Sequence, residues 1–335
     1  MKNIFFKLIF GILSGIIVTS CFPEDIPVKP YDRGDAIVSQ VGLESDYRWQ
    51  VYYSLSENRE LKRSLMTDWD LAFNCTDTSY TIMLNMATFM SSIDKGAVSF
   101  ESITSSEDST RIGENSYGYE NIDSTAIGRW YDSEDNKIIT KNHVYLIDRG
   151  SKWNGKPIGY VKMMVIGADN LGFDIKVANL DGSKERTIRI NKNPLLNYIA
   201  LSLANDQILE IEPPKTDWDL LFTKYTYIFY EPGYIPYSVT GVLLNPKYTV
   251  AAIDTIRKFE EITSDMIDSY QFSNRMDLIG YDWKIVDIST GVYTVLPEMN
   301  YIIKDTKGFY YKLHFIGYVN DEGERGSPKF EFQKL

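Results

Sequence analysis

Beyond residue 46, apolar residues alternate with polar ones or form short mixed runs rich in Tyr, Val, Ile and Phe, bounded by Gly, Asn, Asp and Ser. A period of two is typical of strands. The predicted strands cover residues 49–55, 144–147, 160–166, 173–177, 301–304, 310–316 and 330–333. Gly-containing breaks at 148–150 and 305–308 predict hairpin turns. The pattern therefore predicts an all-β, largely antiparallel fold with little helix, such as a short turn over 264–270 opened by Ser264.

The apolar pattern also repeats along the chain. Residues 67–73 (TDWDLAF) recur as 216–222 (TDWDLLF), and three further blocks recur in the same order: 53–55 as 201–203, 100–104 as 259–263, and 160–167 as 310–317. Ordered self-similarity of this kind indicates internal repeats. We therefore predict a tandem duplication, with β domains over residues 47–192 and 193–335.

The N-terminal segment predicts export and lipidation. Lys2 and Lys7 precede an apolar run over 8–18 that is too short for a membrane-spanning helix, and Val-Thr-Ser-Cys at 18–21 resembles a bacterial lipobox. Residues 1–20 are thus a predicted lipoprotein signal peptide, with Cys21 the lipid attachment site, and an ordinary secretory signal is the alternative. Residues 21–46, with several prolines and charges, predict a flexible tether.

The cysteine count argues against an intramolecular disulfide, and the net charge argues against two classes of partner. With Cys21 lipidated, Cys75 is the only other cysteine, so no intramolecular disulfide is available. The net charge of −11 argues against nucleic acid and against anionic membrane surfaces, because both require clustered Lys and Arg. We find no Gly-x-Ser-x-Gly elbow, phosphate-binding loop or His-Glu-x-x-His site, and we therefore do not expect an enzyme.

Several motifs together resemble the HmuY family, heme-binding lipoproteins of Bacteroidetes. They are the Trp-Asp-Leu-Ala-Phe block at 69–73, Gly-x-x-Trp at 280–283, Tyr-x-Lys-x-x-Phe at 310–315 and Phe-x-Phe at 330–332. The resemblance implies an all-β fold and a role in heme or iron acquisition. It also implies an outer-membrane lipoprotein at the cell surface that passes its ligand to a TonB-dependent outer-membrane receptor.

The ligand residues depart from the family pattern of two axial histidines in one domain. This chain has only His143 and His314, one in each half. Methionine thioethers are alternative iron ligands, and the resemblance implies a heme site in the second half. Its candidate residues are Met266, Met276, Tyr293 and Met299. Core packing is the alternative role of each methionine.

Two functions remain open from the sequence. One is heme capture, which is favoured if the four candidates converge on one open cleft and disfavoured if all four are buried in separate cores. The other is a structural or interaction lipoprotein that has lost heme and docks a receptor or a glycan through exposed Tyr and Trp.

Overall fold

The computed structural model describes residues 35–106, 111–115, 121–135 and 137–335. The predicted signal peptide, Cys21 and the first part of the predicted tether lie outside the described residues. No helix within the described ranges is long and apolar enough to cross a membrane.

Each of the predicted strands overlaps an observed one, and the all-β prediction is confirmed, with 45% strand and 6% helix. The strands are β1 (Ile37–Gln40), β2 (Trp49–Ser54), β3 (Arg59–Leu65), β4 (Leu71–Asn74), β5 (Ile82–Leu84), β6 (Ser91–Asp94), β7 (Ile112–Gly113), β8 (Tyr131–Glu134), β9 (Lys137–Thr140), β10 (Val144–Asp148), β11 (Tyr160–Asp169), β12 (Gly172–Ala178), β13 (Arg186–Asn191), β14 (Tyr198–Leu201), β15 (Ile208–Leu209), β16 (Leu220–Phe229), β17 (Ile235–Leu244), β18 (Val250–Asp254), β19 (Lys284–Val286), β20 (Tyr293–Val295), β21 (Asn300–Lys304), β22 (Tyr310–Val319) and β23 (Arg325–Lys334).

The helical segments are short 3₁₀ turns. They span Met86–Thr88, Phe100–Ser102, Ile122–Ser124, Phe259–Glu261 and Ser264–Ser269. The last of these agrees with the turn predicted at 264–270, although its N-cap is Thr263 and not Ser264.

Antiparallel pairing organises the strands into two lobes. The first lobe contains the sheets β13-β12-β11-β10-β6-β7 and β15-β14-β4-β5, around a core that includes Phe73, Trp130 and Phe173. The second lobe contains the sheets β1-β23-β22-β21-β18 and β17-β16-β2-β3, around a core that includes Trp283 and Phe332. The hairpins β8-β9 and β19-β20 complete the fold.

The two halves of the chain exchange strands between these lobes. Strand β2, from the first half, pairs with β16, with Tyr53 opposite Leu220. Strand β14, from the second half, pairs with β4, with Leu201 opposite Leu71. The predicted boundary between residues 192 and 193 therefore lies within the first lobe, which contains both β13 and β14.

The Trp-Asp-Leu motif holds both exchanged strands in place. Asp70 accepts a 2.7 Å hydrogen bond from the backbone N–H of Leu203 and two more from the guanidinium of Arg149. Asp219 accepts 2.8 Å bonds from the backbone N–H groups of Leu55 and Thr306. Each aspartate thus satisfies a buried backbone donor that comes from the other half of the chain.

The tryptophans of the same motif fill the space between the lobes. Trp69 and Trp218 belong to one apolar cluster, together with Tyr52 and Met276. The indole N–H of Trp69 donates to Gln50 at 2.8 Å, and Trp218 packs edge-on against Tyr52 at 4.9 Å between ring centroids. The tryptophans of the motif therefore pack the junction of the lobes, and its aspartates satisfy backbone donors there.

A second contact also recurs in both lobes. The ammonium of Lys162 donates to the carbonyl of Ile103, and that of Lys312 donates to Phe259 and Ile262. Each ammonium also lies over a phenylalanine ring, Phe100 and Phe259 respectively. These recurrences support the tandem duplication, which stays a prediction.

The strand exchange predicts how fragments behave. Residues 193–335 alone lack β1, β2 and β3, so β16 and β23 are each left with an unpaired edge. Because β1 pairs with the end of β23, Ile37 opposite Phe332, a short Gly/Ser linker can join Leu335 to Asp35. We expect the permuted fragment 205–335–linker–35–66 to unfold cooperatively in urea, followed by tryptophan fluorescence, whereas 193–335 shows no transition. Cooperative unfolding of 193–335 by itself would contradict the exchange.

Candidate ligand-binding cleft

A cleft of about 630 Å³ opens in the second lobe between the outer edge of β17 and the β19-β20 hairpin. Its size lies within the range of small-molecule sites, roughly 300–1,000 Å³. Five tyrosines, two lysines and one aspartate supply most of its polar atoms: Tyr47, Tyr237, Tyr281, Tyr293, Tyr318, Lys224, Lys284 and Asp282. We call this site the tyrosine cleft.

A close backbone contact builds one wall of this cleft. Val242 of β17 exchanges hydrogen bonds with Gly280, at 2.9 and 3.0 Å between nitrogen and oxygen. This approach needs a glycine next to Val242, because a Cβ on Gly241 would lie 2.2 Å from the carbonyl oxygen of Gly280. Gly280 itself has φ of +60°, which glycine adopts without strain. The segment leading into β19 is therefore fixed against β17.

The Gly-x-x-Trp segment then places a lysine in the cleft. Trp283 is fully buried and stacks on Phe315, with ring centroids 3.8 Å apart. The following residue, Lys284, lines the cleft, and its ammonium donates to the carbonyls of Thr240 at 2.5 Å and Tyr281 at 3.4 Å. The buried tryptophan thus holds the lysine in position.

Tyrosine rings form an aromatic surface at one side of the cleft. The rings of Tyr293 and Tyr318 lie 4.8 Å apart, those of Tyr47 and Tyr318 stack at 6.4 Å, and the hydroxyl of Tyr47 donates to that of Tyr293 at 3.4 Å. Burial raises the pKa of Tyr47 and of Tyr281, each to about 12, and raises the pKa of Tyr318 as well. These three phenols are therefore neutral near pH 7 and offer hydroxyl groups and flat apolar faces.

Both lysines of the cleft are desolvated. Burial lowers the pKa of Lys284 to about 7, against the opposing effect of nearby Asp282, and burial lowers the pKa of Lys224. A buried ammonium is costly unless an anion or several acceptors compensate for lost water. The cleft therefore presents two partly uncompensated cations next to an aromatic surface.

The four predicted heme residues do not line one cleft. Tyr293 lines the tyrosine cleft. Met276 is buried between the lobes, where it borders a separate apolar cavity of about 80 Å³. Met299 packs against the core of the second lobe, and Met266 lies half-buried in the 3₁₀ turn Ser264–Ser269. Of the four candidates, Tyr293 alone lines the tyrosine cleft.

The two histidines, and the three methionines between residues 83 and 90, also lie outside the cleft lining. His314 stacks on Phe259 at 4.2 Å, with its ring nitrogens 3.0 Å from the carbonyl of Pro297 and 3.2 Å from Glu331. His143 pairs with Asp94 at 2.8 Å. Met83, Met86 and Met90 have a spacing that would place them on one face of a helix, but Met83 lies in β5 and Met86 begins a 3₁₀ turn, so they share no helix. Within the described ranges no group of three or more His, Cys, Asp or Glu could hold a metal ion.

Sequence reasoning missed Lys224, Lys284 and Tyr47 as cleft residues. The available signal for Lys284 was its position directly after the tryptophan of the Gly-x-x-Trp segment. Lys224 and Tyr47 carry no local signal, since Tyr47 comes from the first half of the chain and reaches the cleft only through the strand exchange.

The described residues thus combine an all-β fold with an aromatic, cationic cleft. The chain belongs to the HmuY family, whose model, described as HmuY protein, matches residues 46–332. No curated protein matches the chain.

Several solved structures match the chain at low sequence identity. Apo PinO from Porphyromonas gingivitis is 8% identical, with 90% of this chain and 98% of that chain covered and a TM-score of 0.30. The apo HmuY analog TFO from Tannerella forsythia is 10% identical, with 91% and 99% covered and a TM-score of 0.31. A Bacteroides vulgatus protein described as HmuY-like and heme-binding is 14% identical, with 51% and 90% covered and a TM-score of 0.23.

The wall of the cleft gives a stability prediction. We expect Gly241→Ala to destabilise the protein by about 1–3 kcal/mol, because the added methyl group overlaps the Gly280 carbonyl and forces the two segments apart. Urea unfolding measures this loss. The matched control is Gly42→Ala, where no atom lies within 4 Å of the added carbon, and an equal effect of both substitutions would contradict the close contact.

Proposed function

We propose that this HmuY-family protein captures heme, or a closely related tetrapyrrole, in the cleft between β17 and the β19-β20 hairpin. The observation that carries the proposal is the combination of about 630 Å³ of open space with a cluster of tyrosine faces. A flat macrocycle gains both apolar burial and ring stacking from such a surface.

The cleft residues fit an iron-containing ligand without histidine. Tyrosine oxygen is an established axial ligand of heme iron. Tyr293, half-buried beside Tyr47 and Tyr318, is the phenol that we assign to this role. Bound heme would supply the iron, and the protein would supply orientation, exclusion of water and the phenol oxygen.

The proposed setting is the outer surface of the outer membrane. Acylation at Cys21 would attach the protein through its lipid chains, and the segment before β1 would act as a tether. The captured ligand would then pass to a TonB-dependent outer-membrane receptor. Membership of the HmuY family and the lipobox-like sequence support this setting.

Titration with hemin tests the proposed function. We expect the protein, purified without residues 1–20, to shift the Soret band of hemin with one-to-one stoichiometry. Tyr293→Phe should change the position and width of the band, because the iron loses its oxygen ligand, whereas Tyr248→Phe, which alters an exposed tyrosine outside the cleft lining, should not. Absence of any Soret shift while circular dichroism shows an intact fold would remove the proposal.

A second candidate function is docking of a receptor or a glycan. Exposed apolar residues concentrate at the tips of the β16-β17 and β19-β20 hairpins, where Tyr230 is 60% exposed, Ile288 92% and Val292 58%. A concentration of exposed apolar side chains is typical of interaction sites.

Cross-linking in intact envelopes tests this second candidate. We expect the double substitution Tyr230→Ser and Ile288→Ser to abolish a receptor cross-link that the unsubstituted protein forms, because the apolar contact is lost. Hemin binding, followed in parallel, reports whether the cleft is intact. Recovery of no receptor with the unsubstituted protein would count against docking.

A further inference from the structure

Lys224 and Lys284 line the cleft from two different elements, and both are neighbours of Thr240. Lys284 donates to the carbonyl oxygen of Thr240, as described above. Lys224, on β16, lies directly opposite Thr240 in the β16-β17 ladder. Directly opposed residues of an antiparallel pair lie on the same face of the sheet. Two cationic side chains from separate elements therefore border the same part of the cleft.

This part is the inner end of the cleft. Lys224 lines both the tyrosine cleft and the smaller cavity between the lobes, so it lies between the two. The exposed part of the cleft lining contains Tyr237 and Ile285, which are 56% and 57% exposed. The two lysines therefore lie at the inner end of the cleft, and apolar side chains lie at its exposed end. This arrangement suits a ligand that enters with its charged end first.

The two ammonium groups lack an equivalent countercharge. Among the described residues, neither lysine forms an ion pair with a carboxylate within 4 Å, and Asp282 is the only acidic residue that lines the cleft. Lys284 has three ammonium hydrogens and two carbonyl acceptors, so one hydrogen remains for a ligand. Its charge is further stabilised by the faces of Trp283 at 4.1 Å and Tyr318 at 4.9 Å.

We propose that Lys224 and Lys284 bind two carboxylates of the ligand, which enters the cleft with its acidic edge first. This inference rests on the proposed function and specifies its ligand class as a planar dicarboxylate. The tyrosines then contact the macrocycle, while the apolar rim covers its outer edge. Binding consequently depends on the two acid groups and persists without iron.

The ionisation of Lys284 makes binding depend on pH. The groups that face this lysine are Asp282 and Tyr281 of its own segment, Tyr318 of β22, Lys224 of β16, and Tyr47 and Tyr293 across the cleft. The pKa of Lys284 in the empty cleft is about 7, so the ammonium that a carboxylate needs is present below pH 7 and is lost as the pH rises. Affinity should therefore fall by up to about tenfold per pH unit above pH 7.

The test compares protoporphyrin IX with its dimethyl ester on the unsubstituted protein, by quenching of tryptophan fluorescence. The two probes have the same ring and differ only in the charge of the two acid groups. At about pH 6.5 we expect the free acid to bind at least tenfold more tightly than the ester. This comparison needs no substitution, so it does not depend on the folding of a variant.

Substitutions assign the effect to the two lysines. Lys284→Gln and Lys224→Gln should each weaken binding of the free acid at least tenfold and leave binding of the ester unchanged. Lys284→Gln should also remove the decline between about pH 7 and pH 8.5. The matched control, Lys156→Gln, alters an exposed lysine outside the cleft and should change neither probe.

The outcomes separate this inference from the proposed function. Equal affinity for acid and ester, or unchanged binding in both lysine variants, overturns the inference while heme capture stands. Binding of hemin without binding of protoporphyrin IX also overturns it, because the iron would then carry the affinity. If neither hemin nor protoporphyrin IX binds the folded protein, the proposed function fails and this inference fails with it.

Discussion

The exchange of β2 and β14 between the two lobes is the constraint on which the rest of the structure depends. Each exchanged strand lies in a four-stranded sheet that takes two strands from each half of the chain, and each is held by the buried aspartate of a Trp-Asp-Leu motif. The polypeptide before β2 is thereby brought beside the β19-β20 hairpin, and this places Tyr47 in the tyrosine cleft. The cleft is a product of both halves, although most of its residues come from the second.

Burial explains the chemistry of that cleft. Trp283 is held between the sheets of the second lobe, and its chain neighbour Lys284 cannot move far into water. A lysine on a flexible surface loop would keep its ordinary pKa and contribute little binding energy, because water screens it. Here the backbone contact between Gly280 and Val242 holds Lys284 in a buried position, and burial lowers its pKa to about 7. The same contact that closes the wall therefore sets the electrostatics.

Local patterns in the sequence were sufficient for seven of the strands but not for their partners. Alternation of apolar residues is a property of one segment, and it located β2, β10, β11, β12, β21, β22 and β23. Pairing depends on which of two similar copies supplies the neighbour: Tyr53 and Leu201 occupy equivalent positions, and so do Leu71 and Leu220. Nothing local distinguishes the exchanged arrangement from the direct one. The methionine candidates show the same limit, since a thioether in a core and a thioether near a ligand have the same sequence signal, and Met276 is buried between the lobes.

The exchange also affects what a break in the chain would do. The loop from Ala204 to Gln207, which joins β14 to β15 within the first lobe, is exposed, as protease-sensitive sites usually are. A cut there would leave β1 hydrogen-bonded to β23 and β2 hydrogen-bonded to β16, with one strand of each pair in either piece, so the two pieces would remain one particle. Interlocked strands thus keep a nicked chain together, whereas a pair of domains on a simple linker would separate at the cut.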